Sequence, residues 1–113
     1  MTSQQNFQTI CPETALTAAN AAEFSKLLTE TIQVDGVNKI LINLKEVSLV
    51  DSAAVVALVK GTRLAKSLGK ELGLCHANLQ VKMVLELTQL DRFVDIYEDE
   101  ADFLSDRHEL VAA

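Results

Sequence analysis

Hydrophobic and polar positions along this chain switch between a two-residue and a three-to-four-residue period, and the switching predicts alternating strands and helices. Residues 7–11 (FQTIC) carry aromatic and β-branched side chains in weak alternation and predict a short strand. Pro12 ends it, since proline has no N–H to donate to a ladder. Thr17 is placed to cap a helix that begins at Ala18. Phe24, Leu27, Leu28, Thr31 and Ile32 then recur at helical spacing and predict one buried stripe, before Asp35-Gly36 stops the helix.

Residues 39–44 (KILINL) are short, branched and apolar on both faces, the pattern of a central parallel strand. A helical pattern follows over 52–68 and stops at Gly69, and 72–75 (LGLC) repeats the buried-strand signal. Asn78 predicts the cap of a third helix with Val81, Val84, Leu85 and Thr88 on one side. A last short strand is expected over 93–97 and an acidic helix over 99–104. Such alternation implies βαβ units: an α/β domain whose helices cover a mainly parallel sheet.

Each helical residue advances the face by about 100°, so the sides of 52–68 can be assigned. Ala54, Val55, Leu58, Gly61, Thr62, Ala65 and Leu68 fall on the core side, where Gly61 and the alanines allow close approach to the sheet. Ser52, Ala53, Val56, Lys60, Arg63 and Ser67 fall on the opposite side. Val56 is the apolar member of that polar face, one turn along from Ser52, and suits a docking patch.

The length, 113 residues, suits a single domain over 1–113, with 1–6 as a flexible arm and 105–113 as a frayed tail. Apolar content of 49% with 23% charged residues is that of a globular chain. No run approaches the roughly 20 apolar residues of a membrane span. The polar, uncharged start is neither a secretory nor a transit peptide, so a cytoplasmic location without membrane attachment is expected. Two cysteines, Cys11 and Cys75, without close spacing are expected to stay reduced.

The net charge of −6 is unevenly placed. Asp91 to Glu109 holds eight acids against Arg92 and Arg107 and accounts for the whole imbalance. Lys60, Arg63, Lys66, Lys70 and Lys82 form a basic middle broken only by Glu71. These read as a solvated acidic helix and a solvated basic face. The overall sign and the scarcity of aromatics argue against nucleic acid, and a protein partner of mixed charge stays open.

Ser52 is the candidate for chemistry. It follows Asp51 where strand pattern gives way to helix pattern, at a helix N-terminus whose unpaired N–H groups favour added negative charge. Either Asp51 or Ser52 suits the N-cap role there, accepting a backbone N–H near Val55. A phosphate on Ser52 would add about two negative charges at this terminus, but beside Asp51. Catalysis would need a convergent nucleophile, base and oxyanion donors, or a glycine-rich phosphate loop. His76, His108 and four scattered glycines do not supply them. Glu46 and Asp51 read as solvated loop acids, and Cys75 and His76, as strand neighbours, point to opposite faces. No enzymatic activity, metal or bound cofactor is expected.

The stretch 41–58 (LINLKEVSLVDSAAVVAL) resembles the signature of STAS domains of the anti-sigma factor antagonist type: an apolar strand, a short loop, Asp-Ser, a small residue, then an apolar helix. Residues 16–20 (LTAAN) and 81–96 (VKMVLELTQLDRFVDI) extend the likeness over nearly the whole chain. The resemblance implies a four- to five-stranded, mostly parallel mixed sheet with helices mainly on one face. It implies a non-enzymatic switch in which Ser52 is the phosphorylated residue and Asp51 the acid before it. Asp51, Ser52, Ala53, Val56, Lys60 and Arg63 would then form the partner-binding surface. The partner would be an anti-sigma factor or serine protein kinase that itself binds ATP, and a PP2C-type phosphatase would reverse the mark. A STAS scaffold that uses the same surface without phosphorylation is the alternative. Ala54 departs from the family's usual glycine, and only one strand fits before Thr17 where two are common. A trimmed sheet edge of that kind would offer unpaired backbone groups to a second copy, as in a homodimer.

Overall fold

A computed structural model describes residues 7–105. In chain order it contains β1 (Phe7–Ile10), α1 (Ala21–Ile32), β2 (Lys39–Asn43), α2 (Ser52–Ser67), β3 (Glu71–Cys75), α3 (Leu79–Leu87), a 3₁₀ turn (Leu90–Arg92), β4 (Asp95–Tyr97) and α4 (Glu100–Leu104). Ser105 closes α4 as its C-cap; the rest of the expected tail, and the expected arm over 1–6, lie outside the described residues. Among the described residues the sheet has four strands in the order β1-β2-β3-β4, and every pairing is parallel.

The two-residue period of the strands sorts the core into two parts. Ile10 of β1, Ile40 and Ile42 of β2, and Leu72 and Leu74 of β3 face α1, α2 and α3. Against them pack Phe24, Leu28 and Ile32 of α1, Ala54 and Leu58 of α2, and Val81 and Leu85 of α3. Leu41, Cys75 and Tyr97 face the other way and are covered by Phe103 of α4 and by Phe7. Gly73 makes room for that cover: a Cβ there would lie 2.8 Å from the Phe103 ring and 2.9 Å from Tyr97. Tyr97 and Phe103 meet edge to face with centroids 5.2 Å apart, a favourable aromatic geometry.

Several expected boundaries move, each for a tertiary reason. The first helix starts at Ala21, not after Thr17, because Leu16 is held extended beside Val50. Leu16 N–H donates to the Leu49 carbonyl (3.0 Å), and Asp51 N–H donates to the Leu16 carbonyl (3.1 Å). Asn20 organises the turn that follows, accepting from Thr17 N–H at 2.9 Å and donating to the Ala15 carbonyl at 2.9 Å. Leu27 falls outside the buried stripe of α1 and is half-exposed. Leu68 is exposed as well, because α2 ends at Ser67 and Leu68 is its C-cap. Gly61 approaches α1 rather than the sheet, with the space for its missing Cβ filled by Leu28. Phe93 lies before β4 on the surface, since it caps the 3₁₀ turn in helical conformation and the strand begins only at Asp95.

Lys70 joins the helical layer to β3. Its Nζ donates to the Ile32 carbonyl (2.6 Å) and the Val34 carbonyl (2.9 Å) at the C-terminus of α1, where a cation meets the negative end of the helix dipole.

Candidate functional site

The turn from β2 to α2 is where the sequence concentrates its candidate residues, and a single carboxylate fixes its shape. Asp51 is the N-cap of α2: one oxygen accepts from Ala54 N–H at 3.1 Å. Its other oxygen accepts from Ala18 N–H at 2.9 Å, across from the turn that precedes α1. These two backbone donors, Ala54 first, hold the Asp51 carboxyl below its ordinary range, since both favour the charged form. Asn78 does the matching work at α3, capping Val81 N–H at 2.8 Å and donating to the Val47 and Ser48 carbonyls.

Asp51 therefore takes the cap role that the sequence left open between it and Ser52. Ser52 is the first residue of α2, exposed, and its hydroxyl makes no hydrogen bond among the described residues. Val55 N–H donates to the Asp51 carbonyl (3.0 Å), so the first turn of the helix is closed behind the serine. An exposed hydroxyl on a helix N-terminus, free of structural duty, is chemically open to modification and to a partner's contact.

The remaining candidates divide between the two flanks of α2. Ala53, Val56 and Lys60 line an open groove against α1, whose opposite wall is Ala22, Ser25, Lys26 and Thr29. Val56, 52% exposed, is the apolar centre of the α2 wall. Arg63 lies on the other flank, with Val59, Lys66 and Phe93 around a small cleft. The structure thus brings Ala53, Val56 and Lys60 into one surface, and sets Arg63 apart from that groove. Sequence reasoning missed the α1 wall and the Ala18 tether. The spacing of Ala22, Ser25, Lys26 and Thr29 places them on one helix face, but only packing shows which helix they sit beside.

Among the described residues no group of three or more His, Cys, Asp or Glu side chains is arranged to hold a metal ion. No helix there is long and apolar enough to cross a membrane.

Comparison with known proteins agrees with this architecture. The family model described as STAS domain matches residues 2–103. A Thermotoga neapolitana protein named as a candidate anti-sigma factor antagonist is 32% identical over 97 residues, which are 86% of each chain. The crystal structure of a like-named Thermotoga maritima protein superposes with a TM-score of 0.84 at 29% identity, covering 91% of this chain and 88% of that one. The same fold recurs within murine Solute Carrier 26 family member A9, an anion transporter, with a TM-score of 0.81 at 15% identity, covering 93% of this chain and 18% of that one. An all-parallel sheet backed by α1 to α3, an Asp-capped α2 and a family match over 2–103 together place this chain in the STAS domain family.

Proposed function

We propose that this chain is a phosphorylatable protein-binding switch of the anti-sigma factor antagonist type, with Ser52 as the residue that carries the mark. The observation that carries this reading is the division of labour between neighbours: Asp51 caps the helix, and Ser52 is left exposed and unengaged. The likeness to proteins named as candidate anti-sigma factor antagonists supports the partner class. Unmodified, the chain docks an anti-sigma factor or serine protein kinase through the start of α2 and the groove of Ala53, Val56 and Lys60. ATP is bound by that partner, and this chain performs no chemistry of its own. A phosphate on Ser52 sets about two negative charges beside the Asp51 carboxylate and one residue from Ala53 of the groove, and burying them in an unprepared interface expels the partner. A PP2C-type phosphatase resets the switch, in the cytoplasm.

The test is incubation with the cognate kinase and ATP, read by intact-mass spectrometry. One added phosphate on the wild type and none on Ser52→Ala is the expected result. An unmodified wild type would instead favour a STAS scaffold that binds without phosphorylation. That second reading draws support from the recurrence of the fold inside an anion transporter.

A further inference from the structure

Helix α3 carries a second apolar face that none of the other described residues covers. Its inner side, Val81 and Leu85, is buried against the sheet. On the outer side Leu79, Met83 and Leu87 follow one another at four-residue spacing and are 76%, 53% and 80% exposed. Scattered exposed apolar residues are ordinary, but three large ones in one row on a charged chain form a patch that calls for a cover.

Charge along one edge of the row identifies what fits. Lys82 and Glu86 lie on the same flank of the stripe, and neither has an ion-pair partner among the described residues. Consider two copies of α3 packed antiparallel about a two-fold axis at Met83. Such an axis keeps each flank against its own copy and reverses the direction along the helix. Lys82 is then one residue to one side of the axis, and Glu86 of the second copy three residues to that same side. At about 1.5 Å per residue they are offset by only about 3 Å along the helix. Two Lys82–Glu86 pairs form, one on each side of the axis, while Leu79 of each copy meets Leu87 of the other. A parallel arrangement gives no such match.

We infer that α3 is a self-association surface, pairing antiparallel with α3 of a second copy through Leu79, Met83 and Leu87 and two reciprocal Lys82–Glu86 contacts. One short helix per copy buries an area at the low end for stable interfaces, so the dimer is weak and concentration-dependent. The groove between α1 and α2 stays open, because no α3 residue lines it.

Sedimentation velocity on the full chain, from about 1 μM to about 1 mM, tests this. The wild type is expected to shift from monomer to twice the monomer mass, and Met83→Glu to remain monomeric with an unchanged circular-dichroism spectrum. Lys82→Glu and Glu86→Lys are each expected to weaken association by about tenfold, and their equimolar mixture to recover it, since opposite charges then face each other at both contacts. A wild type that stays monomeric throughout would overturn the inference. So would a dimer indifferent to Met83→Glu, which would place association elsewhere, such as the β1 edge. A mixture no tighter than its separate components would overturn the antiparallel register.

Discussion

Asp51 and Ala18, 33 residues apart, are joined by a 2.9 Å hydrogen bond from the Ala18 N–H to the Asp51 carboxylate. The same carboxylate caps α2 through Ala54, so the start of α2 and the turn before α1 are set by one side chain. This bond carries a stability prediction and a functional one. Asp51→Ala removes both acceptors and is expected to lower the midpoint of unfolding, as a lost N-cap does. Urea denaturation measures it. Asp51→Asn keeps one side-chain oxygen and should lose less. Because the carboxyl is held below its ordinary range, its contribution is present above the unfolded value of 3.8 and fades as pH falls through the lower folded value. The acid-unfolding limb of Asp51→Asn should accordingly be flatter than that of the wild type.

Val56 tests the groove. It is exposed at the centre of the α2 wall, and Val56→Asp should leave the circular-dichroism spectrum and midpoint of unfolding nearly unchanged. Under the proposed function, affinity for the anti-sigma factor or kinase should fall about a hundredfold by calorimetry, because an unpaired carboxylate would be buried in the interface. Unchanged affinity would remove Val56 from the contact surface.

Gly73 tests the cover on the second face of the sheet. In Gly73→Ala the new methyl would stand within 2.8 Å of the Phe103 ring, which is fully buried and pinned by Tyr97. Overpacking of this kind costs about 1–3 kcal/mol, seen as a lower unfolding midpoint. Tyr97 should report it directly through a changed near-ultraviolet signal, since α4 must shift to make room.

The two thiols should behave as opposites. Cys11 is exposed and Cys75 is buried beneath α4. Burial first, and the nearby Glu100 carboxylate second, push the Cys75 thiol up to about 12. A thiol reagent at neutral pH should therefore label Cys11 at once and Cys75 only after unfolding. The sign for stability follows from the upward shift. The unfolded chain releases this proton near 9.0 and the folded chain near 12, so stability is complete below 9.0 and declines as pH climbs between them. Cys75→Val should show a shallower alkaline decline.

Much of the local architecture was readable in the order of residues. Asn78 was legible as the cap of α3, and a cap for α2 at either Asp51 or Ser52, because a capping side chain reaches an N–H only two or three residues on. The outward positions of Ser52, Val56 and Lys60 were legible for the same reason, since a helix face depends only on spacing. The failures have two causes: a neighbour distant in sequence, or an element whose end falls elsewhere than its apolar pattern. Thr17 has the chemistry of a cap, yet the bridge from Leu16 to Val50 holds the chain extended and delays the helix to Ala21. Leu68 and Phe93 have core character, yet one terminates α2 and the other precedes β4 by way of a tight turn.

The period of its apolar residues determined by itself that this chain alternates strand and helix, that KILIN lies at the centre of a parallel sheet, and that a serine opens the second helix. Those properties depend on residues within a few positions of each other, where covalent geometry alone sets what faces what. Only the tertiary structure decided that Asp51 rather than Ser52 caps that helix while also gripping Ala18, that Arg63 turns away from the groove of Val56 and Lys60, and that Gly73 is the slot for Phe103. The grip on Ala18, the α1 wall of the groove and the slot for Phe103 join segments tens of residues apart, and such meetings exist only once the sheet has brought its strands into register.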